Sequence, residues 1–129
     1  MSNQISTILE QALSDHMEWK IKLRMSVNSG AQDIDANHVC RDDCCAFGKA
    51  LRSEVFSPAA RQSLPYQVVN RLHKEFHESV GNVVRTVQSG DQLGARALMD
   101  QDFVPRTAKL EAALRKWDAE LHGTNRSVA

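Results

Sequence analysis

Two histidines stand four apart in the stretch LHKEFHESV, residues 72–80. If that stretch is helical, His73 and His77 lie one turn apart on one face and can offer two imidazole nitrogens to one ion. An isolated pair of this kind reads first as polar residues at the edge of a core. His16 shifts the balance. It sits in an apolar stripe with Leu13, Trp19 and Leu23, where one histidine alone is ordinarily a core residue bonded to a carbonyl. A third imidazole on a neighbouring helix is what a metal site inside a bundle needs. Zinc prefers nitrogen and sulfur donors in a tetrahedron. Cys40, Cys44 and Cys45 are the candidates for the fourth position.

The local sequence separates the cysteines. Residues 37–52 read as one short helix that carries all three. In CCAFGKAL, Gly48 follows Cys45 by three positions. A glycine inside a helix costs about 1 kcal/mol relative to alanine. Such a glycine marks a close approach of another backbone, so the helix is expected to dock tightly beside Cys45. On a helix Cys44 points about 100° away and cannot occupy the same position. Cys40 and Cys44 share a face and read as small packing residues before they read as a thiol pair. Three cysteines within six residues do not form the even, dispersed framework of a secreted disulfide protein. Free thiols in a reducing cytoplasm are the expectation.

The elements that must position these groups follow from apolar periodicity. Ile5, Ile8, Leu9, Ala12, Leu13, Leu23 and Val27 predict a first helix over 5–28. Residues 53–65, with Pro58 and Pro65, read as loop. Val69, Leu72, Phe76, Val80, Val83, Val84 and Val87 predict a helix over 66–88. A tight QSGDQ connection leads to a last helix over 92–122, with Leu93, Leu98, Phe103, Leu110, Leu114, Trp117 and Leu121 inward. Pro105 should kink or split it. The fold class is therefore all-α, an antiparallel four-helix-type bundle with one short helix carrying the cysteine motif. One domain is expected over 1–122, with a flexible tail over 123–129.

Bulk composition excludes several functions. Lys plus Arg and Asp plus Glu balance at 16 each, which argues against a nucleic-acid binder or a polybasic membrane anchor. No apolar run is long enough to span a bilayer. The N-terminus MSNQISTILEQ has no basic region followed by an apolar one, so no secretory signal is read.

Three motifs, HMEWK (His16 to Lys20), CAFGK (Cys45 to Lys49) and HKEFH (His73 to His77), occur in this order. They resemble those of the chemoreceptor zinc-binding (CZB) domain family. The resemblance covers roughly residues 8–85. It implies a zinc ion buried in a helical bundle and held by His16, Cys45, His73 and His77. It also implies a bacterial signalling role, in zinc sensing and in thiol-based response to hypochlorous acid. A homodimer and a signalling partner such as a chemoreceptor or a diguanylate cyclase belong to the same implication. The chain shows the motifs of neither partner and reads as a stand-alone module. One departure is visible: the family often carries an aromatic residue where this chain has Ala50.

Three imidazoles and a thiolate fill a tetrahedron and leave no position for substrate or activated water, so no enzyme is expected. An open three-histidine zinc would require Cys45 to point away. A di-iron bundle needs more inward carboxylates than Asp15, Glu75 and Glu78 offer. A hemerythrin-type iron site needs more inward histidine, and His38 and His122 read as surface residues. The reading from another class is a structural zinc bundle that serves as a protein-interaction adaptor. In the sensor, oxidation of a zinc-bound thiolate would weaken a ligand, with Cys44 or Cys40 as resolving thiol.

Overall fold

The computed structural model describes residues 2–30, 34–39, 41 and 45–126. Among them every regular element is helical. Helix α1 spans Ser2–Ser29. Three short helices follow: α2 (Ala36–Val39), α3 (Ala46–Leu51) and α4 (Pro58–Arg61). Helix α5 spans Leu64–Gln88. The last long element is built of α6 (Gln92–Leu98), a π-helical turn (Met99–Phe103) and α7 (Val104–Arg126).

Cross-links between the long helices give their directions. Along α1, Ser6, Lys20, Arg24 and Asn28 meet Asp118, Glu111, Asp100 and Arg96 in turn. Along α5, Tyr66 packs on Trp117, Glu75 pairs with Arg106, and Ser79 bonds Asp102. The α6–α7 element thus runs antiparallel to both α1 and α5. The stretch with α2, α3 and α4 stands where a bundle would carry its second helix. The apolar stripes meet between the long helices, where Leu9, Leu23, Phe76, Val83, Val84, Leu110 and Leu114 are wholly buried.

The long helices appear where their periodicity placed them, and every inward residue expected on α5 is buried. Four local differences have physical causes. The stretch 37–52 is not one helix: α2 ends at Val39 and α3 begins at Ala46. The expected loop 53–65 contains α4, started by Ser57, whose Oγ accepts the Ala60 N–H at 3.1 Å. Pro65 lies in the first turn of α5, where its missing N–H costs nothing. Leu93 is 79% exposed and not inward, because it stands in the first turn of a helix whose start is set by the Asp91 cap on Gly94.

Pro105 divides the last helix as expected. Proline at that position cannot bond the carbonyl four residues back and clashes with it. The chain answers with one wide turn, in which the Val104 N–H bonds the Met99 carbonyl five residues back. This turn keeps Met99 and Phe103 in the core ahead of Leu110 and Leu114. Helix α7 continues to Arg126, into the stretch read as a tail, and 127–129 lie outside the described residues.

Phe56 comes from the expected loop, yet it is 1% exposed and wedged between Tyr66 and Trp117 at ring distances of 5.5 and 5.6 Å. Phe56→Ala is expected to lower the unfolding free energy by about 3–5 kcal/mol. Leu93→Ala, on the open face of α6, is expected to change it by less than about 0.5 kcal/mol. Urea denaturation of the two variants checks both; equal losses would contradict this placement of the core.

Candidate metal centre

His16 lies on the inner face of α1 because it falls in register with Leu9, Ala12 and Leu23, and it is 2% exposed. His73 and His77 share the inner face of α5 with Leu72, Phe76 and Val80, at 0% and 4% exposure. Phe47 and Phe76 wall the three imidazoles. The His16 ring meets Phe76 edge-on at 4.7 Å and His73 at 5.1 Å, while Phe47 meets His73 at 5.1 Å.

Cys45 reaches the same point by another route. It is not a helix-interior residue, as the sequence suggested, but the residue that caps α3. Its extended backbone turns the side chain back over the first turn, and Sγ accepts the Gly48 N–H at 3.3 Å. That amide dipole favours the charged form of sulfur. The buried Gly48 therefore serves the cysteine through its amide. Cys40 and Cys44, with the thiol-pair and resolving roles read for them, lie outside the described residues.

The donor atoms of His16, Cys45, His73 and His77 all lie within 4.8 Å of one another. His73 Nε2 is 3.2 Å from Cys45 Sγ and 3.1 Å from His77 Nε2. A tetrahedron with metal–nitrogen bonds of about 2.0–2.1 Å and a metal–sulfur bond of about 2.3 Å has edges of roughly 3.3–3.6 Å. The two close edges are thus within a few tenths of an ångström of that figure.

The protons point the same way. His77 Nδ1 is 2.9 Å from the Val39 carbonyl and His16 Nδ1 is 2.6 Å from the Ala12 carbonyl. A carbonyl only accepts, so both Nδ1 atoms carry the proton and both Nε2 atoms present lone pairs. Bonds of this kind orient metal-binding imidazoles. His73 has no such support: its Nδ1 is buried without a hydrogen-bond partner. Such an orphan costs about 1–3 kcal/mol. The His77 Nε2 lone pair and Cys45 Sγ both face Nε2 of a buried ring whose Nδ1 is unsatisfied, a donor set that suits a cation. Sequence reasoning missed the two carbonyls. Ala12 could have been found as the residue four before His16 in the same helix; nothing in the sequence marks Val39.

The position where the family often has an aromatic side chain is open here. Ala50 lines a cleft of about 110 Å³ between α1 and α3, with Ile8, Ala12, Asp15, Ala46 and Phe47. His38 is exposed, as read from the sequence. His122 is exposed too, and joins Glu10 and Asp118 in a solvent-facing group bonded through Ser6.

Burial sets the charge of the centre. It lowers the pKa of His16 to about 4, aided by His77 and opposed by the Ala12 carbonyl, Asp15 and Glu111. It lowers that of His73 to about 2, with His77, His16 and Arg52 acting in the same direction. Both rings are neutral at pH 7, the state a metal requires. Both folded pKa values lie below the unfolded value near 6.5, so the unfolded chain binds more protons in acid. The stability these two rings protect is present in full above about pH 6.5 and declines below it, until about pH 4 for His16 and about pH 2 for His73. Metal-stripped protein is therefore expected to unfold at lower urea at pH 5 than at pH 7.5, with a smaller drop in His73→Leu. A midpoint independent of pH over this range would contradict the buried, neutral rings.

No curated protein and no solved structure matches the chain. The sequence model of the chemoreceptor zinc-binding domain family matches residues 16–84, which is 69 of the 129 residues. The match begins at His16 and takes in Cys45, His73 and His77. The cluster of three buried histidines and the half-buried Cys45 fits Zn²⁺, and the chain belongs to the chemoreceptor zinc-binding domain family.

Proposed function

We propose that His16, Cys45, His73 and His77 hold one Zn²⁺ in a closed site, and that the chain works as a sensory or regulatory module of bacterial signalling. The observation that carries this reading is the convergence of three imidazoles and one thiol on a single buried point. When bound, the ion supplies a cross-link among α1, α3 and α5 and holds the sulfur as thiolate. Four protein donors leave no position for a reacting water, so the reading is of a sensor and not an enzyme.

Two stimuli suit the site. Metal loss would release three elements at once, and through the His77–Val39 bond a fourth, α2. That is a two-state element of the kind switches use. The second stimulus is an oxidant such as hypochlorous acid. Cys45 is the half-buried member of the set, while all three histidines are buried. A small pocket lined by Trp19, His38, Val39, Arg41 and His77 opens onto it. There the thiolate would be converted by HOCl to sulfenic acid with release of chloride: sulfur loses two electrons, chlorine gains them, and the oxygen passes to sulfur. The oxidised Cys45 sulfur would be a poorer donor and would hold the ion less well. The module belongs in the cytoplasm, where thiols stay reduced, and acts on a signalling protein such as a chemoreceptor or a diguanylate cyclase.

Metal analysis of the purified protein tests this. About one zinc per chain is expected in the wild type and in Cys44→Ser. Cys45→Ser and His73→Ala should lose most of it, and one equivalent of hypochlorous acid should release it from the wild type. Zinc retained after complete oxidation of Cys45 would favour the structural adaptor; wild type without zinc would remove the site itself.

A further inference from the structure

Helices α1 and α3 do not close completely on each other. Ile8, Gln11, Ala12 and Asp15 fall on one strip of α1, at intervals of three and one, and meet α3 across a cleft of about 110 Å³. Ala46, Phe47 and Ala50 form the α3 side. Three of the residues in the cleft are alanines, so its apolar walls stop short of one another where interiors are ordinarily filled. A water takes roughly 30 Å³ and needs polar partners, which these walls do not offer. An apolar cavity of roughly 150 Å³ takes a benzene ring. This cleft is smaller but opens to solvent on one side, so a ring can seat between the walls with its substituent outside.

The rim of the cleft selects the charge of that substituent. Gln11 donates its side-chain amide to Asp15 Oδ1 at 2.9 Å, which fixes the carboxylate at the mouth. Among the described residues, no lysine or arginine pairs with Asp15. A pocket of apolar walls with one polar group in place sets both the shape and the orientation of what it takes. Here a cationic head gains an ion pair beside the slot, and an anion of the same shape is repelled.

The same walls belong to the metal centre. The Ala12 carbonyl accepts the Nδ1–H of His16 at 2.6 Å. The Phe47 ring stands 5.1 Å from that of His73 and 6.1 Å from that of His16. Helix α3 starts at its Cys45 cap and has six residues, so its position is set by what it packs on. A ligand seated against both α1 and α3 and a metal bound through His16 and Cys45 favour the same position of α3. Two ligands that favour one arrangement strengthen each other's binding by the same factor. We propose that the α1–α3 cleft binds a small organic cation with an apolar body, its body between Ala12, Phe47 and Ala50 and its ammonium on Asp15, and that its occupation holds α3 in the metal-bound position. The coupling rests on the zinc-sensor reading; the cleft itself does not.

Benzylamine, a cation at pH 7.5, is the probe, with benzyl alcohol and benzoate as its neutral and anionic counterparts. Titrated into the zinc-loaded protein, it should give saturable NMR shifts at the amides of residues 8–15 and 46–50, with a dissociation constant on the order of 1 mM. Benzyl alcohol should bind roughly two- to fivefold more weakly, and Asp15→Asn should erase that difference. Benzoate should be weaker still. Ala50→Phe fills the slot and should abolish the shifts. Ala46→Leu, at an exposed position of the cleft, should weaken them by a second route if Ala50→Phe disturbs the fold. Saturating benzylamine should slow zinc release to a chelator by roughly twofold or more in the wild type and have no such effect on Ala50→Phe. Absence of saturable shifts, benzoate that binds as well as benzylamine, or shifts that survive both blocking variants would each overturn the site. Zinc release that is unchanged or faster would overturn the coupling. Zinc content, measured on every sample, reads the metal centre separately: saturable shifts in a chain without zinc would uphold the cleft and sink the sensor reading alone.

Discussion

Three imidazoles and one thiol bring their donor atoms within 4.8 Å of one another inside the bundle. That is the constraint on which the rest of this structure turns. His16, His73 and His77 are at most 4% exposed, so their donor atoms face one another and not bulk solvent. Each feature around the rings makes sense as preparation for a cation. Carbonyls from two elements hold the protons on Nδ1. Phe47 and Phe76 close the sides and keep the local dielectric low. The Gly48 amide steadies a sulfur at the fourth corner.

The donors come from segments far apart in the chain, so the centre also organises the fold. Helices α1 and α5 would pack through their apolar stripes without it. The short α3 has six residues, too few to be stable by itself. Its place depends on Leu51, Phe47 and the cysteine at its start. The segment 34–39 depends more on α5, which holds it through His77 on the Val39 carbonyl, Arg85 on Asn37 and Gln88 on the Ile34 carbonyl. Elements with few apolar contacts open first when a tie is cut. Under the proposed sensing role, a response to metal would be weighted towards α2 and α3 rather than the long helices.

Much of this was legible in the sequence. The inner faces of α1 and α5 follow from a period near 3.6, and the same period brings His16, His73 and His77 inward with their apolar neighbours. Pro105 announced a break because proline's effect is local and steric. The stretch from 30 to 63 was harder to read. Whether Cys45 sits inside a helix or caps one depends on an N–H to sulfur bond and on packing against α1, neither of which has a periodic signature. Phe56 is buried by tertiary contact alone, and Leu93 is exposed although its type suggests a core residue. The Val39 carbonyl is a backbone group, and backbone groups leave no mark on a sequence.

X-ray absorption at the zinc edge of the purified protein tests the centre most directly, because it reads the ion's nearest atoms without any variant. Three nitrogen neighbours at about 2.0–2.1 Å and one sulfur at about 2.3 Å are predicted, with no further oxygen shell. A first shell of nitrogen and oxygen only, with no sulfur, would contradict the closed three-histidine, one-cysteine site. It would point instead to an open zinc with Cys45 turned away.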